Sequence, residues 1–149
     1  MSARGAVLVV VLALAATGGC AQNTGTSEQR LSSTTMQSSG YARVIVGGRD
    51  LNVHGQITCA AAGSDTSISI GDSGVTAMVG NGSPPVVHTV SLGVVDGTGL
   101  NYTESLPGQG RASAVKTDNS YTITGEAVGM NPATQLTVTK PFEVNVSCP

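Results

Sequence analysis

Cys20, Cys59, Cys148, His54, His88 and Ser73 are the side chains through which this 149-residue chain could do covalent, acid–base or metal chemistry. Ser73 sits in Gly71-Asp72-Ser73-Gly74, a spelling that accompanies the nucleophile of two-barrel serine hydrolases. Such a nucleophile needs an imidazole base and an orienting carboxylate on a large scaffold, and about 109 residues do not supply two six-stranded barrels. Every residue of the tetrapeptide is a turn former, so it reads as a tight turn between strands. Zinc takes three or four close ligands, and two histidines do not provide them. No catalytic residue, metal or cofactor is expected.

The chemistry of Cys20 is set by what precedes it. Arg4 and the amino terminus lead into Ala6 to Ala16 (AVLVVVLALAA), an unbroken apolar run that ends at Thr17-Gly18-Gly19. That is the build of an export signal over residues 1–19, and the run is too short for the roughly 20 apolar residues of a membrane-spanning helix. Two small residues and a cysteine after such a run resemble the bacterial lipobox, with Thr17 where Leu or Val is usual. The motif implies that Cys20 becomes the mature amino terminus and carries two or three acyl chains. Each buried methylene adds about 0.8 kcal/mol of membrane affinity, so Cys20 alone would anchor the protein stably. The expected location is the cell membrane, lipid-anchored and facing the exterior of the envelope, with release from the cell as a further fate.

Behind the anchor, residues 20–41 read as a flexible stalk. From Ala21 to Gly40 nearly half the residues are Ser or Thr, and Leu31 and Met36 are the sizeable apolar groups. Such a segment cannot bury enough surface to offset its chain entropy. Ser/Thr-rich stalks are also substrates for O-glycosylation, for which Thr24, Thr26, Ser27, Ser32, Ser33, Thr34 and Thr35 are the candidates.

Residues 42–149 change to period two, and these elements must position the remaining side chains. Leu51, Val53, Gly55, Ile57 and Cys59 alternate with Asn52, His54, Gln56 and Thr58, as in a half-buried strand. Further strands are expected at 43–46, 67–70, 75–79, 86–95, 100–105, 111–115, 121–128 and 142–148, with Pro141 marking the start of the last. Gly47-Gly48, Gly63-Ser64-Asp65, Asn81-Gly82, Asp96-Gly97, Pro107-Gly108 and Asp118-Asn119 supply the turns. No convincing helical period runs for ten residues or more. The fold class is therefore all-β, a small antiparallel sandwich or curled sheet. Cys59 shares the parity of Leu51, Val53 and Ile57, and Cys148 that of Phe142, Val144 and Val146, so both are expected in the core. In an oxidising compartment they would pair, tying an early strand to the last. His88 shares the parity of Val86, Val90, Leu92 and Val94. In an unbroken strand it would face the core as a ligand or pH-sensing group, whereas a bulge after Pro84-Pro85 would put it at the rim.

Partners are bounded by composition. A formal charge of -2 gives no basic field for nucleic acid. With Tyr41, Tyr102, Tyr121 and Phe142 as the entire aromatic complement, platforms for stacking sugars or bases are not expected. An apolar cleft between sheets could hold an acyl chain, which makes a carrier of a lipid or other apolar ligand the alternative function.

Several segments together carry a family resemblance: residues 44–53 (VIVGGRDLNV), 54–59 (HGQITC), 80–85 (GNGSPP), 122–125 (TITG) and 142–148 (FEVNVSC). In this order, with both cysteine contexts, they resemble the mycobacterial LpqH-type lipoprotein antigens, the nineteen-kilodalton antigen family. The resemblance implies an acylated, envelope-exposed glycolipoprotein without enzymatic activity, whose lipidated end is sensed by a host Toll-like receptor. Cys20 matches its lipid-bearing cysteine, and the Ser/Thr segment its glycosylated stalk.

Overall fold

The computed structural model describes residues 40–149. Cys20, the export signal and the seven candidate glycosylation sites lie outside the described residues.

Among the described residues every regular element is a strand: β1 (Tyr41–Val46), β2 (Arg49–Asp50), β3 (Ile57–Ala62), β4 (Asp65–Ile70), β5 (Val75–Gly80), β6 (Val87–Val95), β7 (Thr98–Thr103), β8 (Ala112–Thr117), β9 (Ser120–Met130) and β10 (Thr137–Ser147). They form one antiparallel sheet in the order β2-β1-β10-β9-β7-β6-β5-β4-β3, with β8 beside the first half of β9. The sheet curls into a half-barrel, so the curled sheet and not the two-layer sandwich is the architecture. Its concave side is filled by aliphatic side chains, among them Val44, Ile68, Val79, Leu100 and Ile123, each fully buried. Turn chemistry matches the hairpins: Gly47-Gly48 and Asp96-Gly97 all have positive φ, as a two-residue hairpin turn with the right-handed strand twist requires.

The curl is helped by two bulges, both with the extra residue on β6. Met78 pairs with Thr89 but Val79 pairs with Val87, which skips His88. Ser91 pairs with Asn101 but Val94 pairs with Gly99, where Gly93 takes φ +69°. Each bulge bends the strand and reverses its parity. The inward set on β6 is accordingly Val87, Val90, Leu92 and Val95, while Val86 and Val94 are exposed. Expectations from an unbroken strand hold for Val90 and Leu92 and fail for Val86, His88 and Val94.

Two further expectations are corrected. The strand expected over 51–59 begins only at Ile57, because Asn52 (φ +46°) and Gly55 (φ +111°) break the extended path. Pro141 lies inside β10, not before it, opposite Glu126 of β9. Its carbonyl accepts from Gly47 N, so the bond its nitrogen cannot donate falls on the β1–β2 turn, just beyond the last paired residue of β1. Cys59 and Cys148 are disulfide-bonded, with their Cα atoms 5.8 Å apart. Both are half-buried against the core and not enclosed within it.

Candidate functional site

The curl brings two ends of the strand order together. At their meeting point stands Gly40: a Cβ there would lie 2.5 Å from the Ser147 carbonyl oxygen and 3.1 Å from Ile57 Cδ1. Only a residue without a side chain lets β1 enter the sheet beside β10 and still touch β3. The disulfide fastens the same place, since Cys148 follows Ser147 and Cys59 is two residues beyond Ile57. At this pinch the seam opens into a groove of about 380 Å³, bounded by Gly40 and the first residues of β1, Asp50 of β2, residues 52–55, Ile57 of β3 and Ile70 of β4.

The rim of the groove is polar and its floor aliphatic. Arg43 on β1 and Asp50 on β2 meet across the Gly47-Gly48 hairpin, Arg43 Nε donating to Asp50 Oδ2 at 2.8 Å. Asn52 N donates to the other carboxylate oxygen at 2.9 Å. These bonds, first that from Arg43 and then that from Asn52, hold the Asp50 carboxyl below the usual carboxylate range. Asp50 in turn raises the Arg43 guanidinium. Tyr41, Asn52 and His54 continue the rim, while Val53, Ile57 and Ile70 lie beneath.

A second ion cluster braces the turn between β6 and β7. Lys140 Nζ on β10 donates to Asp96 Oδ2 at 2.6 Å, and Arg49 Nη1 on β2 donates to Oδ1 at 2.7 Å. Both bonds, Lys140 first, lower the Asp96 carboxyl. On the bulge, His88 is half-buried at the rim between two carboxylates, with Nδ1 2.6 Å from Glu104 Oε2 and Nε2 3.5 Å from Asp65 Oδ1. The carboxylates sit on opposite ring nitrogens, so the three groups do not converge on one point. They act as a clasp from β4 through β6 to the chain just after β7.

Ser73 lies in the turn between β4 and β5, and its hydroxyl donates to the Ile70 carbonyl at 2.8 Å. That bond closes the turn. His54 is exposed on the segment before β3. Sequence reasoning singled out the histidines, Ser73 and the cysteines but missed the Arg43–Asp50 pair. A readable signal existed: a two-residue Gly47-Gly48 turn sets Ile45 opposite Asp50, and the period of two then puts Arg43 on the same face.

The geometry offers a disulfide-pinned half-barrel with one polar groove at its seam, and comparison with known proteins places such a domain. A family profile described as the Mycobacterium 19 kDa lipoprotein antigen matches residues 35–148. Lipoprotein LpqH of Mycobacterium avium is 47% identical over 109 residues, covering 71% of this chain and 67% of that protein. Lipoprotein LpqH of Mycobacterium bovis (strain BCG / Pasteur 1173P2) and that of Mycobacterium tuberculosis (strain ATCC 25618 / H37Rv) are each 41% identical over 109 residues, covering 71% of this chain and 68% of theirs. The match takes in β1 to β10 and both bonded cysteines, and on that extent the chain belongs to the Mycobacterium 19 kDa lipoprotein antigen family.

Proposed function

We propose that this protein is a lipid-anchored antigen exposed on the cell envelope, held by acyl chains on Cys20, carrying a glycosylated stalk, and sensed through its acylated end by a host Toll-like receptor. The observation that carries the reading is the division of the cysteines. Cys59 and Cys148 are spent on each other, and Cys20 is the third, standing directly after an apolar run and two glycines. Membership of a lipoprotein family supports the same assignment. The domain itself acts as a displayed body: Ser73 closes a turn and His88 clasps strands, so both serve the fold. The twenty residue steps from Cys20 to Gly40 can span at most about 70 Å. That is enough to hold the domain clear of a lipid surface.

Mass spectrometry of the amino-terminal peptide from protein made in its own host tests the anchor. A peptide beginning at Cys20 with diacylglyceryl mass is expected; a mature terminus elsewhere with an unmodified Cys20 overturns the reading. Cys20→Ala should move the protein from the detergent phase to the aqueous phase and abolish the response of Toll-like-receptor reporter cells. A full response to the unacylated variant would remove the sensing role.

A further inference from the structure

We propose that the groove at the seam binds a neutral carbohydrate, of the size of one or two sugar residues. The inference rests on the groove alone and is independent of the anchor.

The aromatic inventory gives the first argument. Tyr102, Tyr121 and Phe142 are all buried in the core, whereas Tyr41 is 63% exposed and stands at the mouth of the groove. A chain with four aromatic residues thus places its one exposed ring beside its polar groove. One ring is no platform for a stacked polymer, but one pyranose face needs only one ring, and an amphipathic aromatic supplies that with little entropy to lose.

The rim gives the second. Arg43 uses Nε on Asp50, and the carboxylate takes that bond on one oxygen and the Asn52 amide on the other. The two terminal guanidinium nitrogens of Arg43 are left to donate, and each Asp50 oxygen has a further lone pair to accept. The pair is net neutral, with donors and acceptors side by side in fixed positions. A sugar hydroxyl both donates and accepts, and neighbouring hydroxyls match such an array. A free anion would meet the Asp50 carboxylate, and a cation would meet Arg43. Asn52 and His54 extend the same mixed character along the rim.

The floor gives the third. Half-buried Val53 gives the groove an aliphatic surface, backed by the buried Ile57 and Ile70, which suits the C–H face of a pyranose. The volume of about 380 Å³ lies at the low end of small-molecule sites. Rim, floor and ring come from elements fixed by the disulfide, the glycine pinch and the hairpin, so little ordering is needed on binding.

The test uses the full chain in a detergent without a sugar headgroup. Saturation-transfer NMR is run against methyl glycosides of glucose, galactose, mannose and arabinose, with acetate and inorganic phosphate as anionic probes. Transfer to the ring protons of at least one glycoside is expected at about 10 mM, an affinity typical of small polar ligands. Tyr41→Ala and Asp50→Asn should each weaken binding at least tenfold while unfolding cooperatively. Arg43→Lys keeps the charge but loses the fork, and should weaken it too. No transfer from any glycoside, transfer unchanged in all three variants, or binding of acetate or phosphate in preference would each overturn the proposal.

Discussion

Removing the disulfide is the perturbation with the largest calculable effect. Cys59 and Cys148 are 89 residues apart in sequence, and closing a loop of about 90 residues takes roughly 15 cal/mol/K of entropy from the unfolded chain, or about 4.5 kcal/mol at 25 °C. Both half-cystines are only half-buried, so Cys59→Ala with Cys148→Ala leaves little cavity to add to that figure. For a domain of about 110 residues the unfolding entropy near the midpoint is about 0.23 kcal/mol/K, and the loss corresponds to a drop of about 20 °C in Tm. The double variant, made in a Cys20→Ala background so that no other thiol intervenes, is compared by urea unfolding followed by circular dichroism. A loss below about 1 kcal/mol with an unchanged denaturant slope would refute the reasoning, because the bridge would then not be acting by restraining the unfolded chain.

Gly40→Ala should destabilise the domain by about 1–3 kcal/mol, since its Cβ meets backbone at 2.5 Å; wild-type urea stability would contradict the pinch. The lowered Asp96 carboxyl contributes stability that is present above the usual value of 3.8 and is lost as pH falls through the folded value. Asp96→Asn should therefore have a lower Tm than wild type at pH 7, with the gap closing below pH 3.8; a gap constant from pH 7 to pH 2 would count against the cluster. A fluorophosphonate probe should leave Ser73 unlabelled, because its hydroxyl is committed to the Ile70 carbonyl; labelling that disappears in Ser73→Ala would reopen the catalytic reading.

Where a strand is regular, its sequence already showed its burial. Phe142, Val144 and Val146 on β10 point inward as their period of two requires, and Asp96-Gly97 turns where it should. The misreadings fall where one residue is added or the backbone turns left-handed. Val86, His88, Val90, Leu92 and Val94 alternate in sequence, yet two bulges in β6 reverse the faces on either side of Val90 and Leu92, turning Val87 and Val95 inward. Gly93 was the readable mark of the second, since a Cβ there would lie 2.7 Å from the Ser73 carbonyl oxygen. The groove was illegible for another reason: Tyr41, Arg43, Asp50 and Asn52 converge only once the sheet curls and its ends meet. The Cys59–Cys148 pairing was legible because it depends on parity along each strand and not on register.

The disulfide also answers a problem that stability alone does not raise. An open curled sheet has edges, and β3 is one of them, with the sequence ITCAAA and neither charge nor proline. Such an edge is a template for strand addition by another chain. Charges at intervals or a closed barrel are the usual remedies, and β3 has neither. The bridge to Cys148 and the contact of Gly40 with Ile57 hold this edge against the end of β10 and β1, so an incoming strand meets a covered seam near the pinch. Closing the ladder fully would remove the edge but also the groove, because the segment 51–56 that bounds it would have to become strand. A covalent pin at one point keeps the edge protected and leaves the seam open beside it.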